Sequence, residues 1–168
     1  MKKIITVLVV LAVMTAGVFA TTGDTIVLTT GVAARTNGGF TTADVTSFSQ
    51  NVTAVNNGQE VATTAIGSYR VYYQSNEKKT ITLSLSASPF KSATVGTQIG
   101  YKLKVGGNEF TTTKNASDTT VTVATITNTS ATGASYAFSD YAVTSDDETL
   151  AAAATDYKST LTLTITAN

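Results

Sequence analysis

The densest cluster of chemically capable side chains is Asp146, Asp147 and Glu148, three consecutive carboxylates. Such a group could hold a calcium ion or supply a pair of acids for glycosidic cleavage. A calcium loop, however, needs oxygen ligands at alternating positions and a glycine at its sharp turn, and neither pattern surrounds these residues. A glycosidase needs two carboxyl groups facing each other across a cleft, which adjacent positions in a turn do not provide. The chain contains no histidine and no cysteine. Ser/His/Asp and Cys/His nucleophilic machinery is therefore excluded, along with the commonest metal ligand and the side chain best suited to general-base work near neutral pH. We assign no catalytic residue, no metal ligand and no cofactor, and expect a protein that is not an enzyme.

The surrounding segments carry a stronger signal. The ending YKSTLTLTITAN places Leu161, Leu163 and Ile165 on one side of an extended chain and threonines on the other. This is the period-two pattern of a strand with one buried face, predicted here over Tyr157 to Asn168. Ile81, Leu83 and Leu85 alternate in the same way, as do Tyr101, Leu103 and Val105 against Lys102 and Lys104. One wet and one dry face per strand points to antiparallel sheets, because strands of a doubly wound parallel sheet are apolar on both sides.

Eight strands are predicted: Thr25 to Val32, Val45 to Phe48, Ala65 to Tyr73, Thr80 to Ala87, Ile99 to Val105, Thr119 to Thr127, Tyr136 to Val143 and Thr160 to Thr166. Their number and spacing suit a sandwich or barrel. Gly106, Gly107 and Asn108 mark a tight hairpin turn, and Pro89, the sole proline, ends the strand before it. The one predicted helical turn is Asp146 to Ala154, acidic at its start and alanine-rich after.

The chain opens MKKIITVLVVLAVMTAGVFA, two lysines, an apolar run and small residues at Val18 and Ala20. That is the pattern of a secretory signal peptide, expected over residues 1–20 and removed before Thr21. The run is short against the roughly 20 apolar residues of a membrane span. Residues 21–168 then form a single domain, near minus two in net charge once Lys2 and Lys3 are gone. Such a balance gives no reason to expect nucleic acid or an anionic membrane surface as the partner. Threonine, with 35 residues, is the excess amino acid. It is β-branched and uncharged, and it suits the solvent face of a strand.

Two segments carry a family resemblance. Tyr69 to Ala87 (YRVYYQSNEKKTITLSLSA) is a strand, a turn at Ser75 and Asn76, and a second alternating strand. Asp156 to Ile165 is a turn residue, a tyrosine and aliphatics at every other position. With the leader and the short mature length, these resemble bacterial fimbrial subunits of the immunoglobulin-like kind, including the spore-coat-U type and cysteine-free colonisation-factor pilins. The resemblance implies an all-β, immunoglobulin-like antiparallel β-sandwich of about seven to eight strands. It further implies a structural subunit of a surface fibre or fimbria, exported through the periplasm and assembled by strand complementation in support of adhesion. Its partners would be other copies of itself or related subunits, with a periplasmic chaperone and an usher. Carried onto this chain, Ile26 and Leu28 would fill a groove walled in part by Tyr157, Leu161, Leu163 and Ile165. The alternative is a self-complete secreted sandwich that binds carbohydrate, cell wall or host protein, using exposed aromatics. Tyr72, predicted to point outward opposite Val71 and Tyr73, is its best candidate.

Overall fold

The computed structural model describes residues 16–19, 26–28, 33–55, 58–144 and 151–168. The chain divides into two compact units, Met1–Ala34 and Arg35–Asn168. In the first, β1 (Ala16–Phe19) and β2 (Ile26–Leu28) pair antiparallel, with Ala16 opposite Leu28 and Phe19 opposite Ile26. The expected cleavage point between them lies outside the described residues.

The second unit contains β3 (Thr36–Thr41), β4 (Arg70–Ser75), β5 (Thr80–Ala87), β6 (Phe90–Lys91), β7 (Gln98–Ile99), β8 (Tyr101–Val105), β9 (Asn108–Thr111), β10 (Thr119–Thr127), β11 (Thr132–Val143) and β12 (Leu161–Ala167). A 3-10 helix covers Thr63–Ser68. Eight of these strands form two sheets, a three-stranded one in the order β10-β5-β12 and a five-stranded one in the order β3-β4-β11-β8-β9, while β6 and β7 pair as a small ribbon. Every pairing is antiparallel. The architecture is the expected all-β antiparallel sandwich.

The core lies between the two sheets. Ile81, Leu83, Leu85 and Ala87 of β5 are fully buried and pack in one cluster with Val71 and Tyr73 of β4, Leu103 and Val105 of β8 and Phe138 of β11. Covering each large aliphatic side chain contributes about 1.5–3 kcal/mol, so β5, flanked on both edges, is the strand the core depends on most. The β8–β9 hairpin turns at Gly106 and Gly107, with φ of 56° and 87°. Val105 faces Asn108 across this two-residue loop, and two consecutive positive φ values are what a type I′ turn demands of its glycines. β5 ends at Ala87, two residues before Pro89, as expected.

Several expectations are corrected. Val45 to Phe48 is no strand but part of a loop that covers the outer face of the five-stranded sheet. Gln74 donates from Nε2 to the carbonyls of Ser47 (2.8 Å) and Gln50 (2.9 Å), and Ser135 Oγ donates to Asp44 (2.8 Å) while accepting from the Val45 amide (3.0 Å). Val45 is buried, and so is Tyr72 at 5% exposure, so Tyr72 is on the face opposite Val71 and Tyr73 but is not the exposed aromatic expected. A period-two argument assigns faces correctly, but it cannot tell that a distant loop folds over the second face. Residues 65–68, predicted as strand, belong to the 3-10 helix, and β4 begins only at Arg70. The strand Thr36–Thr41 was not predicted, because Gly38 and Gly39 interrupt its apolar pattern. Of the predicted helical turn, residues 145–150 lie outside the described residues, and 151–154 are not helical.

Candidate functional site

β12 carries three of the six predicted assembly residues, Leu161, Leu163 and Ile165. It pairs along its whole length with β5 in unbroken register, from Leu161 opposite Ala87 to Ala167 opposite Ile81. It stands at the edge of its sheet, with no described strand beyond it. The backbone pattern fixes which groups that edge presents. Thr80 and Asn168 exchange both of their N–H to carbonyl bonds, at 3.0 Å each. Bonded and non-bonded pairs alternate along an antiparallel ladder, so Thr162, Thr164 and Thr166 bond toward β5. The N–H and C=O groups of Leu161, Leu163, Ile165 and Ala167 therefore point out along the free edge.

The side chains of these same residues point inward. Leu161, Leu163, Ile165 and Ala167 pack against the core cluster but stay only partly buried, while Leu83 and Leu85 beside them on β5 are at 0% exposure. The difference follows from position, since a central strand has neighbours on both sides and an edge strand has one. At the carboxy-terminal end the gap to the facing sheet is narrow. Cδ1 of Ile165 lies over Gly38 of β3, where a side chain would collide with it.

The opposite edge of the same sheet is built differently. β10 carries a bulge between Thr122 and Ala124. Asn108 Nδ2 donates to the Val123 carbonyl at 2.8 Å, and Thr119 Oγ1 donates to the Thr111 carbonyl at 3.2 Å. Bulges and side-chain caps are the usual means of closing a sheet edge to further pairing. Among the described residues β12 has neither, and it carries no charged residue or proline.

Tyr157 sits apart from the strand face to which it was assigned, four residues before β12 begins. Its hydroxyl donates to the Ala152 carbonyl at 2.7 Å, so the contact with Thr97 Oγ1 has the threonine as donor. Lys158 and Lys91 bond backbone to backbone, and Ser159 Oγ donates to the Ser88 carbonyl at 2.7 Å. With that proton committed, Tyr101 donates its own to Ser159 Oγ at 2.8 Å. Burial pushes the Tyr101 phenol above its ordinary pKa. Asp156 completes this lead-in segment. It accepts from Ser92 Oγ at 2.6 Å and from the amide and hydroxyl of Thr94 at 3.0 and 2.9 Å. Those donors, Ser92 first, hold its carboxyl down at about 2. The segment before β12 is thus a latch tying the strand's entry to the 92–97 loop, and Tyr157 is part of the latch.

Ile26 and Leu28, the predicted groove-filling residues, lie in β2, whose described partner is β1. Asp146, Asp147 and Glu148 lie outside the described residues. Among the described residues no helix is long and apolar enough to cross a membrane. Gly38 and Asn108, which shape the two sheet edges, carried no sequence signal beyond the glycine pair at 38–39 and a turn asparagine. No protein-family model, curated protein or solved structure matches this chain.

Proposed function

We propose that this protein is an exported structural subunit of a surface fibre or fimbria, in which a strand from one copy adds beside β12 of the next. The observation that carries this reading is the asymmetry of the three-stranded sheet. Among the described residues, one edge is bulged and capped, whereas β12 offers the outward-facing backbone groups of four alternate residues above aliphatic side chains that are only partly covered. Strand addition satisfies both needs at once, since main-chain bonds supply affinity and alternate side chains fill the space beside the core.

The donor in this reading is Thr25 to Val32, with Ile26 and Leu28 as the inserted side chains. The described partner of β2 is β1, which falls within the expected leader. Removal of residues 1–20 would leave Ile26–Leu28 without that partner and free to pair elsewhere. A periplasmic chaperone would protect the β12 edge in transit, and an usher would order the exchange. Adhesion of the bearing cell would follow from the assembled fibre.

The test is to purify residues 21–168 and add a synthetic peptide of residues 25–32. Donor-strand assembly predicts that the protein alone oligomerises or needs a chaperone, and that the peptide raises its melting temperature with saturable binding. Charge on the receiving face, as in Leu163→Asp, should abolish peptide binding. A monomer that unfolds cooperatively at high concentration and ignores the peptide would sink the reading.

A further inference from the structure

The outer face of the three-stranded sheet is a regular array of hydroxyl groups. Thr162, Ser86 and Thr120 stand side by side across β12, β5 and β10, and Thr164, Ser84 and Thr122 form the next row. Thr166, Thr82 and Thr125 form a third row. None of the residues of these three strands is charged. In these rows the threonines of the flanking strands are exposed, and Ser86, Ser84 and Thr82 of β5 are half-buried.

Two comparisons within the molecule set this face apart. Elsewhere, hydroxyls tie the fold together, as Ser92, Thr94 and Ser159 do around the latch. The nine hydroxyls in these three rows make no hydrogen bond among the described residues. The five-stranded sheet, by contrast, carries Arg70, Lys102, Lys104, Glu109 and Asp140. A solvent-facing sheet ordinarily gains solubility from charge of this kind.

We infer that this hydroxyl face is a self-packing surface through which copies of the chain associate laterally, face to face. A surface that meets its own copy across a two-fold axis brings each charge near its equivalent, so an uncharged face is the one that can do so without repulsion. Sheets stack readily with their strands about 30° apart, and threonine offers both a methyl to pack and a hydroxyl to bond. Magnitude determines when the contact matters. Three strands about 4.8 Å apart, rising about 3.3 Å per residue, give a patch of roughly 300 Å². A stable pair of free proteins buries about 800 Å² on each partner, so two isolated copies stay apart. Copies held in an array multiply the contact, and a fibre or a crowded cell surface is such an array. This surface is separate from the β12 edge, and it requires only that many copies be held together.

The test tethers the purified chain through a terminal tag to beads. Wild-type beads should cluster, while the free protein sediments as no face-to-face dimer. Thr122→Lys with Thr164→Lys should reduce clustering at least tenfold. A control with the same added charge away from the face, Thr113→Lys with Thr129→Lys, should cluster as the wild type does. Matching melting curves would establish that the variants are folded. Dispersed wild-type beads, or face-variant beads that cluster like the control, would overturn the proposal. So would clustering abolished by the 25–32 peptide but untouched by the face lysines, since that result assigns the contact to the β12 edge.

Discussion

Gly38 of β3 and Ile165 of β12 are fitted to each other. A Cβ at position 38 would collide both with Cδ1 of Ile165 and with the carbonyl oxygen of Tyr72, so glycine here is a requirement of close approach between the two sheets. The two sheets approach closely at this point, while Ile165 itself, like Leu161 and Leu163 on the same strand, remains partly exposed.

Gly38→Ala is accordingly expected to destabilise the protein by about 1–3 kcal/mol, the usual cost of forcing extra atoms into a packed site. The obstruction includes backbone, so side-chain rearrangement alone cannot relieve it. Urea unfolding of the two proteins checks this, and an unchanged midpoint would refute the packing described.

Position within the sheet should set the cost of losing an aliphatic side chain. Leu83→Ala, at a fully buried site on the central strand, should cost about 2–5 kcal/mol. Leu163→Ala, on the edge strand, should cost distinctly less, because part of that side chain is already in water. Equal losses in chemical denaturation would mean that β12 is covered.

The latch at Asp156 gives stability a pH dependence of known sign. Its carboxyl is held at about 2 in the folded protein, below the ordinary value of 3.8. A carboxylate depressed on folding stabilises fully above its unfolded pKa, and that contribution is lost as pH falls through the folded one. The melting-temperature difference between wild type and Asp156→Asn should therefore be constant above about pH 5 and shrink toward pH 2. A gap that widens on acidification would contradict the assignment.

Gln74 should govern the loop that covers Tyr72. Gln74→Ala removes two hydrogen bonds, to the Ser47 and Gln50 carbonyls, an expected cost of about 1–3 kcal/mol at about 0.5–1.5 each. Amide hydrogen exchange should accelerate across residues 44–50 while β5 stays protected. Uniform acceleration throughout the sandwich would instead make the loop integral to global folding.

Much of this molecule was legible in its residues because the evidence was local. The alternation of Ile81, Leu83 and Leu85 gave β5 its limits, the threonine-rich run gave β10, and the glycine pair at 106–107 gave the β8–β9 turn. The inward faces of Leu161, Leu163 and Ile165 followed from the same period of two. These features depend on steric preferences within a few neighbouring residues, which the chain carries wherever it is placed.

What the tertiary structure decided is everything that depends on distant partners. Only the sheet order makes β12 an edge strand and β5 a central one, although both alternate equally well. Only the tertiary structure, which ties residues 44–50 to Gln74 and to Ser135 beside Tyr72, shows Tyr72 as a buried residue. Only the hydrogen bonds of Ala152 and Thr97 take Tyr157 out of the strand and into the latch. Alternation specifies which side chains share a face. Whether that face, or that edge, meets protein or solvent is set by contacts between residues far apart in the chain, and no local pattern encodes them.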